Sequence, residues 1–128
     1  MISAALLCLA TNIYFEARNE PLEGQVAVSH VVLNRVASSD YPNSICQVVT
    51  QKHNKTCQFS WHCDGKSDRM ANKKARLRSL SLANSILTGR YSDNTGGALN
   101  YHADYIKPYW ASSLTFTKKI GTHLFYKP

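Results

Sequence analysis

The sequence predicts an α+β fold: a mainly helical single domain with a small β-hairpin element near the C-terminus. Three observations carry this reading. Leu6, Leu9, Ala10, Ile13 and Ala17 fall near helical spacing. Asp93-Asn94-Thr95-Gly96-Gly97 is a turn cluster that separates the helical region from the last part of the chain. Thr115-Phe116-Thr117 and Leu124-Phe125-Tyr126 flank Lys118 to Gly121 as two short strands would flank a turn. The chain has 128 residues, 44% of them hydrophobic, enough for one core and too few for two. With 18% charged residues the composition is that of a folded domain and excludes a disordered chain.

The first helix spans residues 3 to 18, with Ser3 as its N-cap. Asn19 is placed to end it, since Asn tolerates the left-handed conformation of a C-terminal cap. The second helix starts at Pro21, which suits a first helical position, and runs to about Ser38. Its valines alone would suggest a strand, but its length without a turn signal argues for helix. Residues 39 to 43 form a loop, and Ser44 to Gln51 a short helix. Residues 52 to 70 show no period and read as a long structured loop, a feature usually tied to function. Ala71 to Thr88 is a further helix, closed by Gly89. Ala98 to Ala103 reads as extended.

The apolar stretch from Met1 to Ala10 resembles part of a signal peptide. No Lys or Arg precedes it and no small-x-small pattern comes after it, so it is expected to be a buried helix. It is also too short to span a bilayer, which takes about 20 apolar residues. No signal peptide or transmembrane segment is therefore expected.

Cys8, Cys46, Cys57 and Cys63 are expected as free thiols in a reducing compartment. If oxidised, they allow three pairings, and His53 and His62 nearby leave a zinc site conceivable. The spacing lacks the paired Cys signature of zinc ribbons, so no metal and no cofactor are expected.

Fifteen basic against eight acidic residues give a formal net charge of +7. That points to an anionic partner without saying which. The run Lys73, Lys74, Arg76 and Arg78 supplies much of it, as a solvated helix face or a binding patch. Stacking aromatics are not interleaved with these residues, which argues against nucleic acid.

Among the few acids, Glu16 stands apart, because Ile13, Tyr14 and Phe15 flank it near the end of an apolar helix. Apolar surroundings disfavour the charged form and raise a carboxyl pKa. A carboxylic acid that stays protonated near neutral pH can serve as a general acid for glycoside cleavage. A plain ion pair of Glu16 with Arg18 or Arg35 accounts for the residue equally well. Gln58-Phe59-Ser60-Trp61 sets two aromatic faces beside two hydrogen-bonding side chains, the chemistry that binds sugars. The same four residues would also anchor a long loop to a core. Tyr101-His102, and His123 with Tyr126, are further polar-aromatic pairs, each either substrate-binding or structural.

These residues together resemble the cell-wall hydrolase family typified by the spore cortex-lytic enzymes. The resemblance rests on residues 12–18 (Asn-Ile-Tyr-Phe-Glu-Ala-Arg), 20–25 (Glu-Pro-Leu-Glu-Gly-Gln) and 32–36 (Val-Leu-Asn-Arg-Val). It continues through Tyr41-Pro42-Asn43, Gln58 to Trp61, Asp64-Gly65, Gly96 to Leu99, Tyr101-His102 and His123 to Tyr126. Asn19 stands where the family usually has Gly, and Thr122 where Asn is common.

The resemblance implies a lysozyme-like fold related to lytic transglycosylases; relatives often carry a wall-binding module, whereas residues 1–128 are expected to be one peptidoglycan-cleaving domain with no separate module of that kind. It implies cleavage between N-acetylmuramic acid and N-acetylglucosamine in peptidoglycan glycan strands, with Glu16 as catalytic glutamate. Gln58, Phe59, Ser60, Trp61, Tyr101, His102, His123 and Tyr126 would bind substrate. A hydrolase would need a second carboxylate, about 5 Å away for retention or about 6.5–9.5 Å for inversion. Glu20, Glu23 and Asp64 are the candidates, and the ordinary role of Glu20 and Glu23 is to organise the start of the second helix. A short, basic, leaderless wall enzyme of this kind looks like a bacteriophage endolysin. Such a monomer would wait in the host cytoplasm until a holin releases it to the anionic envelope. A module that binds peptidoglycan without cutting it is the rival from another class.

Overall fold

The computed structural model describes residues 2–128; the part of the N-terminal apolar run that falls on Met1 lies outside the described residues. Four helices form the larger layer: α1 (Ala4–Ala17), α2 (Leu22–Ala37), α3 (Ile45–Val49) and α4 (Lys73–Leu87). Two short strands, β1 (Lys52–His53) and β2 (Thr56–Cys57), pair antiparallel inside the long loop. The C-terminal region is a three-stranded antiparallel sheet in the order β3 (Asn100–Ala103), β5 (His123–Lys127), β4 (Thr115–Ile120). The expected hairpin is thus β4–β5, and the stretch expected to be extended adds β3 to its free side.

Local chemistry explains the helix ends. The Ser3 hydroxyl accepts from the Leu6 N–H at 3.1 Å, and the Asn72 side chain accepts from the Ala75 N–H at 2.9 Å. Each satisfies one of the donors a helix start leaves free. Gly89, at φ +80°, takes the left-handed turn that closes α4 and donates to the Ile86 carbonyl at 3.0 Å. Asn19 does not play that part for α1. That helix ends at Ala17 with Arg18 still in right-handed geometry, and Asn54 is the only described non-glycine residue with positive φ. The Glu20 N–H reaching the Ala17 carbonyl at 2.9 Å closes the turn instead.

Helix α1 runs through the middle of the molecule. Leu9, Ala10 and Ile13 are fully buried against Val26, Val32, Val48, Leu82 and Ile86 from the other helices. Burying side chains of the size of Leu9 or Ile13 stabilises the fold by roughly 2 kcal/mol each. Val28, Val31 and Ala27 on α2 pack with Phe125 of β5, which seats the sheet on the helices. No described helix is long and apolar enough to cross a membrane.

The cysteines correct the expectation of free thiols. Cys8 on α1 bonds Cys46 on α3, and Cys57 bonds Cys63 across the base of the long loop. The packing of α1 on α3 brings the first pair to a Cα–Cα distance of 5.3 Å, inside disulfide reach. The β1–β2 turn and a 3-10 turn at Ser60–His62 do the same for the second, at 5.9 Å. No group of three or more metal-ligating side chains is assembled among the described residues.

Candidate active site

Glu16 sits on the last turn of α1, where the helix meets the sheet. Its carboxyl is largely buried, and desolvation raises its pKa above the ordinary value. The Tyr101 hydroxyl, delivered by β3, donates a hydrogen bond to Glu16 Oε1. That bond and the nearby charge of Arg35 pull in the opposite direction but do not overcome the burial. Burial and the neighbouring carboxyl push the Tyr101 phenol well above its usual range, so it remains a donor.

Arg35 is a buried residue of α2 whose Nε donates to the Leu99 carbonyl at 2.8 Å. Its guanidinium lies 5.0 Å from the Tyr41 ring and 5.2 Å from the Phe59 ring. Its Nη1 is buried with no partner. A fixed cation thus lies behind Glu16 without forming an ion pair with it. On the same turn of α2, Asn34 donates to the Ala98 carbonyl and to Asp93, which holds the Gly96-Gly97 turn leading into β3.

A cleft of about 500 Å³ opens over Glu16. Gln58, Ser60, Tyr101, His102 and His123 line it together with Glu16 and Arg35. A second hollow of about 230 Å³ continues it past Glu16 toward Arg18, Glu20 and Thr122. Both share Glu16, Ala103, Tyr105 and His123, so the carboxyl lies at the middle of one groove. An extended polymer can cross such a groove with its reacting bond at Glu16.

Of the remaining sequence-derived residues, all but Glu20 lie off the groove lining. Phe59 and Trp61 are buried and face the core. The Trp61 indole donates to Asn12 Oδ1 at 2.9 Å, and its ring stacks on Phe15. They anchor the loop, while the alternate positions Gln58 and Ser60 reach the groove. Tyr126 is buried in the sheet and meets His102 Nε2 at 2.9 Å. With His102 Nδ1 donating to the Ala103 carbonyl, the Tyr126 hydroxyl donates to Nε2 and fixes the ring. Glu23 is in the first turn of α2, and Asp64 accepts from the Lys66 N–H in a local turn; neither lines the groove.

Glu20 does border the groove, but its oxygens are engaged. Oε1 accepts from the Thr122 N–H at 2.8 Å and both oxygens meet the Thr122 hydroxyl at 3.1 Å. This clasp joins the α1–α2 junction to the β4–β5 turn, a role other than starting α2. It also gives Thr122 a function. His123 Nδ1 lies 3.6 Å from Glu20 Oε1, but burial lowers the His123 pKa, so a neutral ring rather than an ion pair sits there.

Sequence reasoning did not bring Tyr105, Ile106, Pro108 and Trp110 to the groove, although they line it. The aromatic run Tyr105-Ile106-Lys107-Pro108-Tyr109-Trp110 was the available signal. Arg35 entered as an ion-pair partner for Glu16 and within the 32–36 block, without a place on the groove lining.

Residues 19–126 match the family described as Cell Wall Hydrolase. Spore cortex-lytic enzymes of Bacillus cereus and Bacillus subtilis are each 35% identical to this chain. The matches cover 93% and 91% of this chain and 42% and 35% of those proteins. The chain thus spans about two fifths or less of the length of these relatives. Among solved structures, the catalytic domain of the germination-specific lytic transglycosylase SleB from Bacillus anthracis has a TM-score of 0.76 at 34% identity. That match covers 98% of this chain and 97% of the SleB domain. The catalytic domain of the Bacillus cereus SleB protein gives a TM-score of 0.73 at 33% identity, over 99% and 93%.

Proposed function

The chain belongs to the cell wall hydrolase family, and from that premise we propose that it cleaves peptidoglycan glycan strands as a lytic transglycosylase with Glu16 as its one acid-base. The bond cut is the β-1,4 link from N-acetylmuramic acid to N-acetylglucosamine. The observation that carries this is the buried, Tyr101-bonded Glu16 carboxyl at the middle of the groove, with the other carboxylate on the groove lining, Glu20, tied to Thr122.

In the first step Glu16 donates its proton to the glycosidic oxygen as the C1–O bond breaks, and N-acetylglucosamine leaves with a free 4-hydroxyl. The acetamido oxygen of the muramic acid bonds to C1 and holds the positive charge. Glu16, now a carboxylate, takes the proton of the 6-hydroxyl. O6 then attacks C1, displaces the acetamido oxygen and closes a 1,6-anhydro ring. Glu16 ends protonated, so no water and no second carboxylate enter. Arg35 and Tyr101 support the carboxylate during the interval in which it is charged. Gln58, Ser60, His102 and His123 are the substrate-binding side chains on the groove walls, and residues 1–128 act as one catalytic unit.

The test is a digest of purified peptidoglycan read by mass spectrometry. Anhydro-muropeptides are expected. Products that have gained water at a reducing end would mean a hydrolytic muramidase instead. No product at all would mean a binding module.

The finer reading is an endolysin, held in the host cytoplasm and released to the wall by a holin. The net charge of +7 favours its contact with an anionic envelope. Disulfides persist in oxidising compartments, in keeping with action beyond the cytoplasmic membrane. Fractionation of cells that express the protein alone tests this part. Retention in the cytoplasm is expected, and appearance in the periplasm without a holin would overturn it.

A further inference from the structure

A second cleft, of about 390 Å³, lies between the α1–α2 junction and α4. Arg18, Gln25, Arg78, Ser81, Ser85 and Tyr91 supply its polar lining, with Leu22 and Leu82 as its apolar part. It shares Arg18 and Glu20 with the hollow beside Glu16, so the two adjoin. We propose that this cleft seats the peptide stem of the muramic acid, and that its arginines bind the stem's carboxylates. The proposal rests on the muralytic reading above and names the form of substrate that the site takes.

The cleft carries an excess of positive charge, with two guanidinium groups, Arg18 and Arg78, against one carboxylate. Neither Arg18 nor Arg78 forms an ion pair among the described residues. The one carboxylate on the lining, Glu20, is held by hydrogen bonds from Thr122 and pairs with neither arginine. Arg18 is held ready: its guanidinium stacks 4.5 Å from the Tyr14 ring and donates to the Tyr14 carbonyl at 3.1 Å. Arg78, Ser81, Leu82 and Ser85 follow the helical repeat and share one face of α4. The opposite wall is steadied where His30 Nε2 meets the Tyr91 carbonyl at 3.1 Å.

The substrate's chemistry matches this layout. The muramic acid whose C1 reacts at Glu16 carries, on C3, a lactyl group extended by a short peptide. That peptide starts about one sugar width from the reacting bond and bears free carboxylates between small side chains. Guanidinium groups bind carboxylates in a planar, two-point geometry. Leu22 and Leu82 give small apolar side chains a surface, and the serines and Gln25 supply partners for peptide groups.

The experiment compares kcat/KM on peptide-bearing glycan with that on glycan stripped by an amidase. It also measures binding of the free stem tripeptide, and of inorganic phosphate, by calorimetry. The wild type is expected to favour peptide-bearing glycan by about tenfold, the effect of one charge-assisted contact. Arg78→Glu is expected to bring that ratio close to one, Arg78→Lys to keep part of it, and free tripeptide to bind the wild type but not Arg78→Glu. Equal rates on both glycans, or a ratio unmoved by Arg78→Glu, would overturn the proposal. Phosphate binding as tight as tripeptide would reduce the cleft to a general anion site and overturn it too. Cleavage of neither glycan together with tripeptide binding would leave the cleft assigned and overturn the muralytic reading.

Discussion

The Tyr101 hydroxyl and Glu16 Oε1, 85 residues apart in sequence, are joined by a hydrogen bond at the centre of the groove. A donor to a carboxyl oxygen favours the ionised form. Tyr101→Phe removes it, so the Glu16 pKa should rise further and the carboxyl lose its fixed orientation. The expected outcome is a fall in kcat of about tenfold to a hundredfold, with the alkaline limb of the pH–rate profile moved to higher pH. An unmoved limb with a changed KM would instead make Tyr101 a substrate contact.

Glu16 also links stability to pH. Burial raises its folded pKa above the unfolded value. Its contribution is therefore fully present below the unfolded pKa and is lost as pH rises through the folded pKa. Glu16→Gln, which is neutral and still accepts from Tyr101, should have a higher Tm than the wild type above the folded pKa. That advantage should vanish toward acid pH. Thermal melts of both proteins across pH check this.

Much of the fold was legible because its signals are local. Ser3 and Gly89 mark helix ends by their own chemistry, and the spacing of Leu9 and Ile13 marks the buried face of α1. Glu16 was legible because a carboxyl between Ile13, Tyr14 and Phe15 is anomalous wherever the chain goes. Contacts across the chain were not. Glu20 meets Thr122 over 102 residues, and nothing near either residue signals it. Phe59 and Trp61 were ambiguous because sugar-binding and core-anchoring aromatics have the same composition, and only burial separates them. The cysteines were ambiguous because pairing depends on how α1 packs on α3.

The Glu20–Thr122 clasp predicts a structural rather than a chemical loss. Glu20→Ala removes hydrogen bonds to a carboxylate, a loss of roughly 2 kcal/mol. Lower stability by chemical denaturation is expected, with the product distribution unchanged. Gly121→Ala should weaken the same clasp, since a Cβ there would lie 2.5 Å from Glu20 Oε1. A switch of product type in Glu20→Gln would show that Glu20 takes part in the chemistry.

The two disulfides should divide their effects. Cys8–Cys46 closes 38 residues, for which loop entropy gives about 4 kcal/mol, and Cys57–Cys63 closes six, for about 2 kcal/mol. Cys8→Ser with Cys46→Ser should therefore lower Tm more. Cys57→Ser with Cys63→Ser should lower activity more, because that bond brackets Gln58 and Ser60 on the groove wall. Melts and turnover of the two double variants compare them.

Turnover of Glu16→Gln on purified peptidoglycan, with its fold checked by circular dichroism, probes the acid-base role of Glu16 without an intermediary. The substitution keeps the size and the Tyr101 contact and removes the proton. A folded protein is expected that still binds glycan strands and releases anhydro-muropeptides at least about a hundredfold more slowly than the wild type. Release at the wild-type rate by the folded variant would contradict the assignment of Glu16.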